Sequence, residues 1–275
     1  MSLWAQILLY GVVGALVYCG LYVWTPKLVN RGVSLLFSFW FFLWSPVLLL
    51  IPLSILLYWI DGGVLSLASF VERFRLTPID SQDWLWVIGA VVFTILFDQL
   101  LEPVGKYFAR KRLFAPPPYL PAPFNPLKKF SIPPTEFFHT PLRRNGKLLA
   151  WFIPLHLIAM FSEELMWRGY MLPLQIDLFG SYAWVVNGLL WAWLIHACLK
   201  WHFIGMLPGM LIAPWIAQYT GSTWASFAAL AIGNAPLWVL LWIGVMHTPT
   251  TKVDNGAAKG ETSSAQQSSS SDASV

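Results

Sequence analysis

Polar groups placed inside apolar stretches are the residues of this 275-residue chain that could do chemistry, because ionisable side chains there are costly. The densest group reads Phe161-Ser162-Glu163-Glu164-Leu165-Met166-Trp167-Arg168-Gly169-Tyr170. On a helix, Glu164 and Arg168 stand four apart, with the acid N-terminal to the base, the favoured order for an ion pair. Pairing neutralises Glu164 and leaves Glu163, rotated by one residue, without a partner in its own helix. A lone carboxylate among Trp and Phe is suited to taking a proton from water. The same spacing also fits a solvated helix end carrying a structural ion pair.

Two further groups follow. His196 lies late in an apolar stretch, in Trp193-Leu194-Ile195-His196-Ala197-Cys198, where a hydrogen-bonded core histidine is the simpler reading. Asn234 lies deep in the last stretch, and Pro236 cannot donate to the carbonyl of Ile232, so the helix is expected to be locally open there. A buried Asn can also serve as a packing device between helices. A diacid, a His and an Asn on three C-terminal helical elements together point to a shared polar cavity. Asp98, Gln99 and Glu102 form another acidic group, which interfacial solvation beside a basic loop explains, with Lys106 one turn beyond Glu102.

The elements that must position these groups are membrane spans. The chain is 57% hydrophobic and only 11% charged. Soluble proteins carry roughly a quarter charged residues, and their surface needs polar cover that this composition does not supply. A span takes ~20 apolar residues. About seven such stretches are present, near 3–24, 33–60, 84–101, 148–174, 181–199, 203–219 and 223–246. The expected fold is an all-α, polytopic transmembrane helical bundle. The second stretch is long enough to tilt, or to break near Pro46 and Pro52. Cys19 and Cys198 lie within apolar runs and read as small core residues.

Four regions are expected: N-terminal scaffold helices over 1–101, a basic Pro-rich cytoplasmic loop over 102–147, a helical core over 148–246, and a disordered polar tail over 247–275. Leu3 to Trp24 lacks a basic leader and a small-residue cleavage site, so it reads as a retained span. Residues 66–75 mix aromatics with charges and are expected to lie along the interface. The formal charge of +4 does not imply nucleic acid, because nine of the 17 Lys and Arg fall between Lys106 and Lys147. That is the positive-inside pattern, which places the N-terminus outside and the C-terminus in the cytoplasm. The stretch from Phe114 to Pro141, with Pro116-Pro117-Pro118 and Pro121-Ala122-Pro123, is expected to be extended rather than packed. No internal repeat of the kind many transporters show is visible, which disfavours a proton-coupled transporter using Glu163 or Asp98.

At the diacid the chain resembles the CPBP family of intramembrane proteases, which includes type II CAAX prenyl endopeptidases. The resemblance runs from about Leu148 to Leu241 and rests on Glu163-Glu164-x-x-x-Arg168, extended by Gly169-Tyr170-x-x-Pro173. His196 stands for the family's second motif, with Ala192 where an aromatic residue is usual. Trp201, Gly209 and Thr220-Gly221-Ser222-Thr223-Trp224 are also similar. In the third motif Asn234 is present, but Leu230 occupies the place of a His.

The resemblance implies that Glu163 is the base that activates water. His196 would be a water or metal partner, Asn234 an oxyanion-side donor, and Glu164 with Arg168 a supporting pair. Zinc held in part by Glu163 and His196 is one implication, and a metal-free glutamate mechanism is the other, since structural and catalytic zinc sites need three or more protein ligands. His156 and His202 are the histidines that could compensate for Leu230. The implied activity is endoproteolysis of a membrane-embedded or lipidated peptide or protein, within the lipid bilayer of a plasma (inner) membrane. The alternative is a catalytically impaired relative that acts as a binding, immunity or scaffold partner.

Overall fold

A computed structural model of the chain describes residues 1–247; the polar tail expected beyond them lies outside the described residues. Apolar composition alone does not set where a helix begins, and polar caps do so here. Ser2, Ser34, Asp80 and Ser222 each accept a hydrogen bond from the backbone N–H three residues on. The helices that follow are α1 (Leu3–Val29), α2 (Leu35–Ile60), the short α3 (Leu67–Arg73) and α4 (Ser81–Ala109). Then come α5 (Gly146–Glu164), α6 (Leu172–Phe179), α7 (Ala183–Trp193), α8 (Leu207–Thr220) and α9 (Thr223–Met246).

Among the described residues, five helical stretches are long and apolar enough to cross a bilayer: α1, α2, α4, the run Gly146–Trp193 that contains α5 to α7, and α9. The fold is the all-α polytopic bundle that the composition demands. All seven apolar stretches are helical, but two are shorter than expected. The helices in 181–199 and 203–219 are 11 and 14 residues long. At 1.5 Å per residue they reach ~16 and ~21 Å, short of a ~30 Å hydrocarbon core. They pack on each other closely, since a Cβ at Gly188 would press on the Met210 carbonyl. Helix α2 breaks at Leu49, between Pro46 and Pro52 as its prolines predicted.

Two boundaries shift. The third span was expected to end at residue 101, but α4 continues to Ala109, because Lys106 pairs with Glu102 at 2.7 Å across one turn. Asp98 is therefore 11 residues, or ~17 Å, from the helix end, well inside it rather than at its tip. The Pro-rich segment is not a free extended linker. Leu120, Phe137, Phe138 and Leu142 are buried, and the Tyr119 hydroxyl donates to the Leu21 carbonyl at 2.5 Å. Phe138 packs 4.5 Å from Phe39 and Phe137 lies 6.0 Å from Trp40, so burial of aromatic area holds the segment down where its prolines cannot hydrogen-bond.

Helix α3 docks as an amphipathic piece, with Phe74 fully buried at its end. The Phe74 carbonyl accepts from the Thr223 hydroxyl at 2.7 Å, and Arg75 donates to the Ala217 and Gly221 carbonyls at the end of α8. Gly221, at φ +69, supplies the left-handed cap that this turn requires.

Helix α1 makes its closest approach at Gly14, where a Cβ would collide with the Leu194 carbonyl, whereas Gly11 has nothing within 4 Å. Gly14→Leu is expected to lower the melting temperature by several degrees, since overpacking costs about 1–3 kcal/mol. Gly11→Leu is expected to leave it unchanged or raise it. Thermal unfolding of the detergent-solubilised protein, followed by tryptophan fluorescence, compares the two.

Candidate active site

Helix α5 ends at Glu164, and the next seven residues, Leu165–Met171, form a π-helical turn before α6 resumes with Pro173 in its first turn. Such wide turns recur at functional sites because they re-aim side chains. Arg168 stands in this turn, with Nε 3.5 Å from Glu164 Oε2 and both side chains fully buried. The contact is an ion pair that is not aligned as a hydrogen bond, and the guanidinium nitrogens have no hydrogen-bond partner among the described residues. Two groups meet the two charges instead. The Ser226 hydroxyl of α9 donates to Glu164 Oε2 at 2.5 Å, and the guanidinium lies 3.8 Å over the Trp191 ring. A desolvated cation against an indole face is a favourable arrangement.

Glu163 faces another way. Its Oε2 lies 4.0 Å from His196 Nε2, longer than a hydrogen bond but close enough to share one polar site. His196 comes from the tight turn Ile195–His202, whose backbone leaves helical angles at His196 and Leu199. The imidazole meets the edge of Trp191 at 5.3 Å. Exposure separates the two carboxylates: Glu164 and Arg168 are at 0%, while Glu163 keeps 7% and the His196 side chain 19%. The first glutamate keeps a small exposed area, whereas the second is sealed between Arg168 and Ser226.

Asn234 is placed differently. Its amide donates to the Leu230 carbonyl of its own helix at 2.9 Å. With Leu230, Trp191, His202 and Asp98 it lines a cavity of about 220 Å³. Among the described residues no hydrogen bond or ion pair joins Asn234 to Glu163 or His196, and Trp191 is the side chain common to both places. His156 accepts a hydrogen bond from the Trp238 indole at 3.1 Å inside a box of Trp40, Trp44 and Phe152. His202 lines the cavity with Asn234, its imidazole lying against Gly205. Zinc would need a third ligand beside Glu163 and His196. Among the described residues no three His, Cys, Asp or Glu side chains are grouped to hold a metal, so the donor set does not fit one.

Several residues of the site escaped sequence reasoning. The Asn187 amide nitrogen lies within hydrogen-bond distance of the Tyr10 hydroxyl, the Trp167 carbonyl and Gln175 Oε1, all buried, and Tyr10 stacks on Trp167 at 4.0 Å. The Tyr22 hydroxyl donates to the Cys198 carbonyl at 2.8 Å. Helix α1 thus holds the histidine turn at its start, by Gly14 on Leu194, and at its middle, by Tyr22 on Cys198. The available signal was the recurrence of single polar residues (Gln6, Gln175, Asn187, Ser226) inside apolar helices.

The geometry also explains the residues around the diacid. A Cβ at Gly169 would press on the Phe74 carbonyl, and Tyr170 donates to Asp61 Oδ2 at 2.5 Å while Arg73 covers its ring. Fold and site together define an integral membrane helical bundle with a buried ion pair beside a second carboxylate and an imidazole. Residues 145–236, about a third of the chain, match the family model described as Type II CAAX prenyl endopeptidase Rce1-like, and this segment is of the CPBP type. No curated protein matched the chain, and no solved structure did.

Removing one partner from a buried ion pair leaves an uncompensated charge, at a cost of about 3–5 kcal/mol. Arg168→Met alone is expected to destabilise on that scale, and Arg168→Met combined with Glu164→Leu to recover most of the loss. Denaturant unfolding of the three proteins in detergent measures it.

Proposed function

We propose that the protein is an intramembrane endopeptidase that hydrolyses a peptide bond of a membrane-embedded or lipidated polypeptide. The observation that supports it best is the division of labour between the two glutamates: Glu164 is sealed against Arg168 and Ser226, whereas Glu163 has no ion-pair partner but His196 and keeps a small exposed area. Glu163 takes a proton from water, and the water oxygen bonds to the peptide carbonyl carbon. The carbonyl oxygen becomes an oxyanion. His196 Nε2, without a hydrogen-bond partner among the described residues, lies 4.0 Å from Glu163 and orients the attacking water. Collapse of the tetrahedral intermediate breaks the C–N bond, and Glu163 returns its proton to the leaving amine. Asn234 assists the oxyanion only if its amide turns from Leu230 toward the cavity it lines. The mechanism routes no step through a metal.

Purified protein in detergent with a fluorogenic prenylated peptide tests this reading. Glu163→Gln is expected to lower kcat at least a thousandfold with little change in KM, and treatment with chelator to leave the wild-type rate unchanged. Activity that survives in Glu163→Gln overturns the assignment of the base.

One observation favours a second reading: the apolar Leu230 occupies the cavity wall beside Asn234. A wild-type protein without cleavage, in which Leu230→His produces activity, would be a binding or scaffold partner that has lost its chemistry. A variant no faster than wild type removes this reading.

A further inference from the structure

Asp98 sits well inside α4, on the wall of the 220 Å³ cavity and also of a second cavity of about 310 Å³. Both are lined by Asp98, Leu199 and His202. The inner one reaches Asn234 and Trp191 past Met206, Met210, Ala213 and Leu230, and the outer one passes under Pro123 and Phe124 of the Pro-rich segment. Asp98 is exposed, and a carboxylate at this level of a membrane helix still favours a partner; among the described residues it makes no ion pair and no side-chain hydrogen bond. Its acidic neighbour Glu102 is already matched by Lys106.

The charged side chains lining the two cavities are of one sign, Asp98 and Glu102. Among the described residues no Lys or Arg lines either cavity. One Asn234 amide hydrogen is committed to the Leu230 carbonyl, and the Asn234 oxygen and the Thr94 hydroxyl can accept a hydrogen bond from a ligand. A carboxylate or phosphate would be repelled there. An ammonium or guanidinium would be attracted, and an aliphatic stem would fit the methionine and leucine walls, as Lys and Arg stems commonly bury along apolar surface. We propose that the paired cavities around Asp98 form a binding site for a basic side chain, Lys or Arg, of the polypeptide the protein acts on. This rests on the reading of the protein as one that binds polypeptide, and makes Asp98 the residue that selects basic substrates.

Binding is measured without turnover, on the full chain carrying Glu163→Gln in detergent. The probes are fluorescent nine-residue peptides with blocked ends, in which a single Lys is moved along an otherwise uncharged sequence, each compared with its norleucine counterpart. At one or two positions the Lys peptide is expected to bind at least tenfold tighter than norleucine. Asp98→Asn is expected to abolish that preference while norleucine binding stays the same, and Asp98→Glu to keep part of it. No preference at any position, or one that survives in Asp98→Asn, overturns the proposal. Because no cleavage is read, loss of the protease reading leaves the result interpretable. A preference that vanishes in Asp98→Asn but is kept in Asp98→Glu excludes simple misfolding as its cause.

Discussion

A guanidinium with no water around it governs the middle of this molecule. Arg168 has one charge to meet it, Glu164, and one aromatic face, Trp191. Each of these has a second duty. Glu164 is tied to α9 through Ser226, and Trp191 touches His196 and walls the cavity that holds Asn234. Because an unpaired charge at this depth would cost several kcal/mol, the positions of α5, α7 and α9 are correlated through one side chain. The π turn belongs to the same constraint, since it carries Arg168 and hands the chain on to α6.

That constraint creates the difference between two adjacent glutamates. On α5 the two point about 100° apart. One is used up in holding the cation, and its neighbour is left facing the histidine turn. The turn itself is not stable helix, and its placement depends on α1. Gly14 admits the Leu194 backbone and Tyr22 fixes the Cys198 carbonyl. The N-terminal helix, expected as plain scaffold, therefore sets where the imidazole stands relative to Glu163.

How much of this could be read from residues depends on the range of the interaction. Membrane helices were legible because a bilayer demands ~20 apolar residues in a row, and the sequence supplies them. The Glu164–Arg168 pair was legible because four-residue spacing is local. The His196 approach to Glu163 was reached through resemblance, since a 3₁₀ turn with broken angles leaves no periodic trace. Ser226, Tyr10 and Asn187 were missed because each bond spans far more chain than any pattern covers. The extension of α4 was missed because its last turns are charged, and hydropathy ends a span where an i,i+4 ion pair continues the helix. The Pro-rich segment was read from its prolines when its aromatics decide its place.

The extension of α4 has a consequence for how polar groups are shared across the bundle. With Asp98 well within the length of α4 though exposed, two carboxylate sites adjoin Trp191: one built on Glu163 and His196, the other on Asp98, His202 and Asn234. They differ in the balance of charge. Around the first, Arg168 supplies a positive field, which favours developing negative charge on a reacting oxygen. Around the second, no cation lines the walls, which favours a positive ligand. On the proposed reading, a substrate that places a base near Asp98 and a carbonyl near Glu163 meets both.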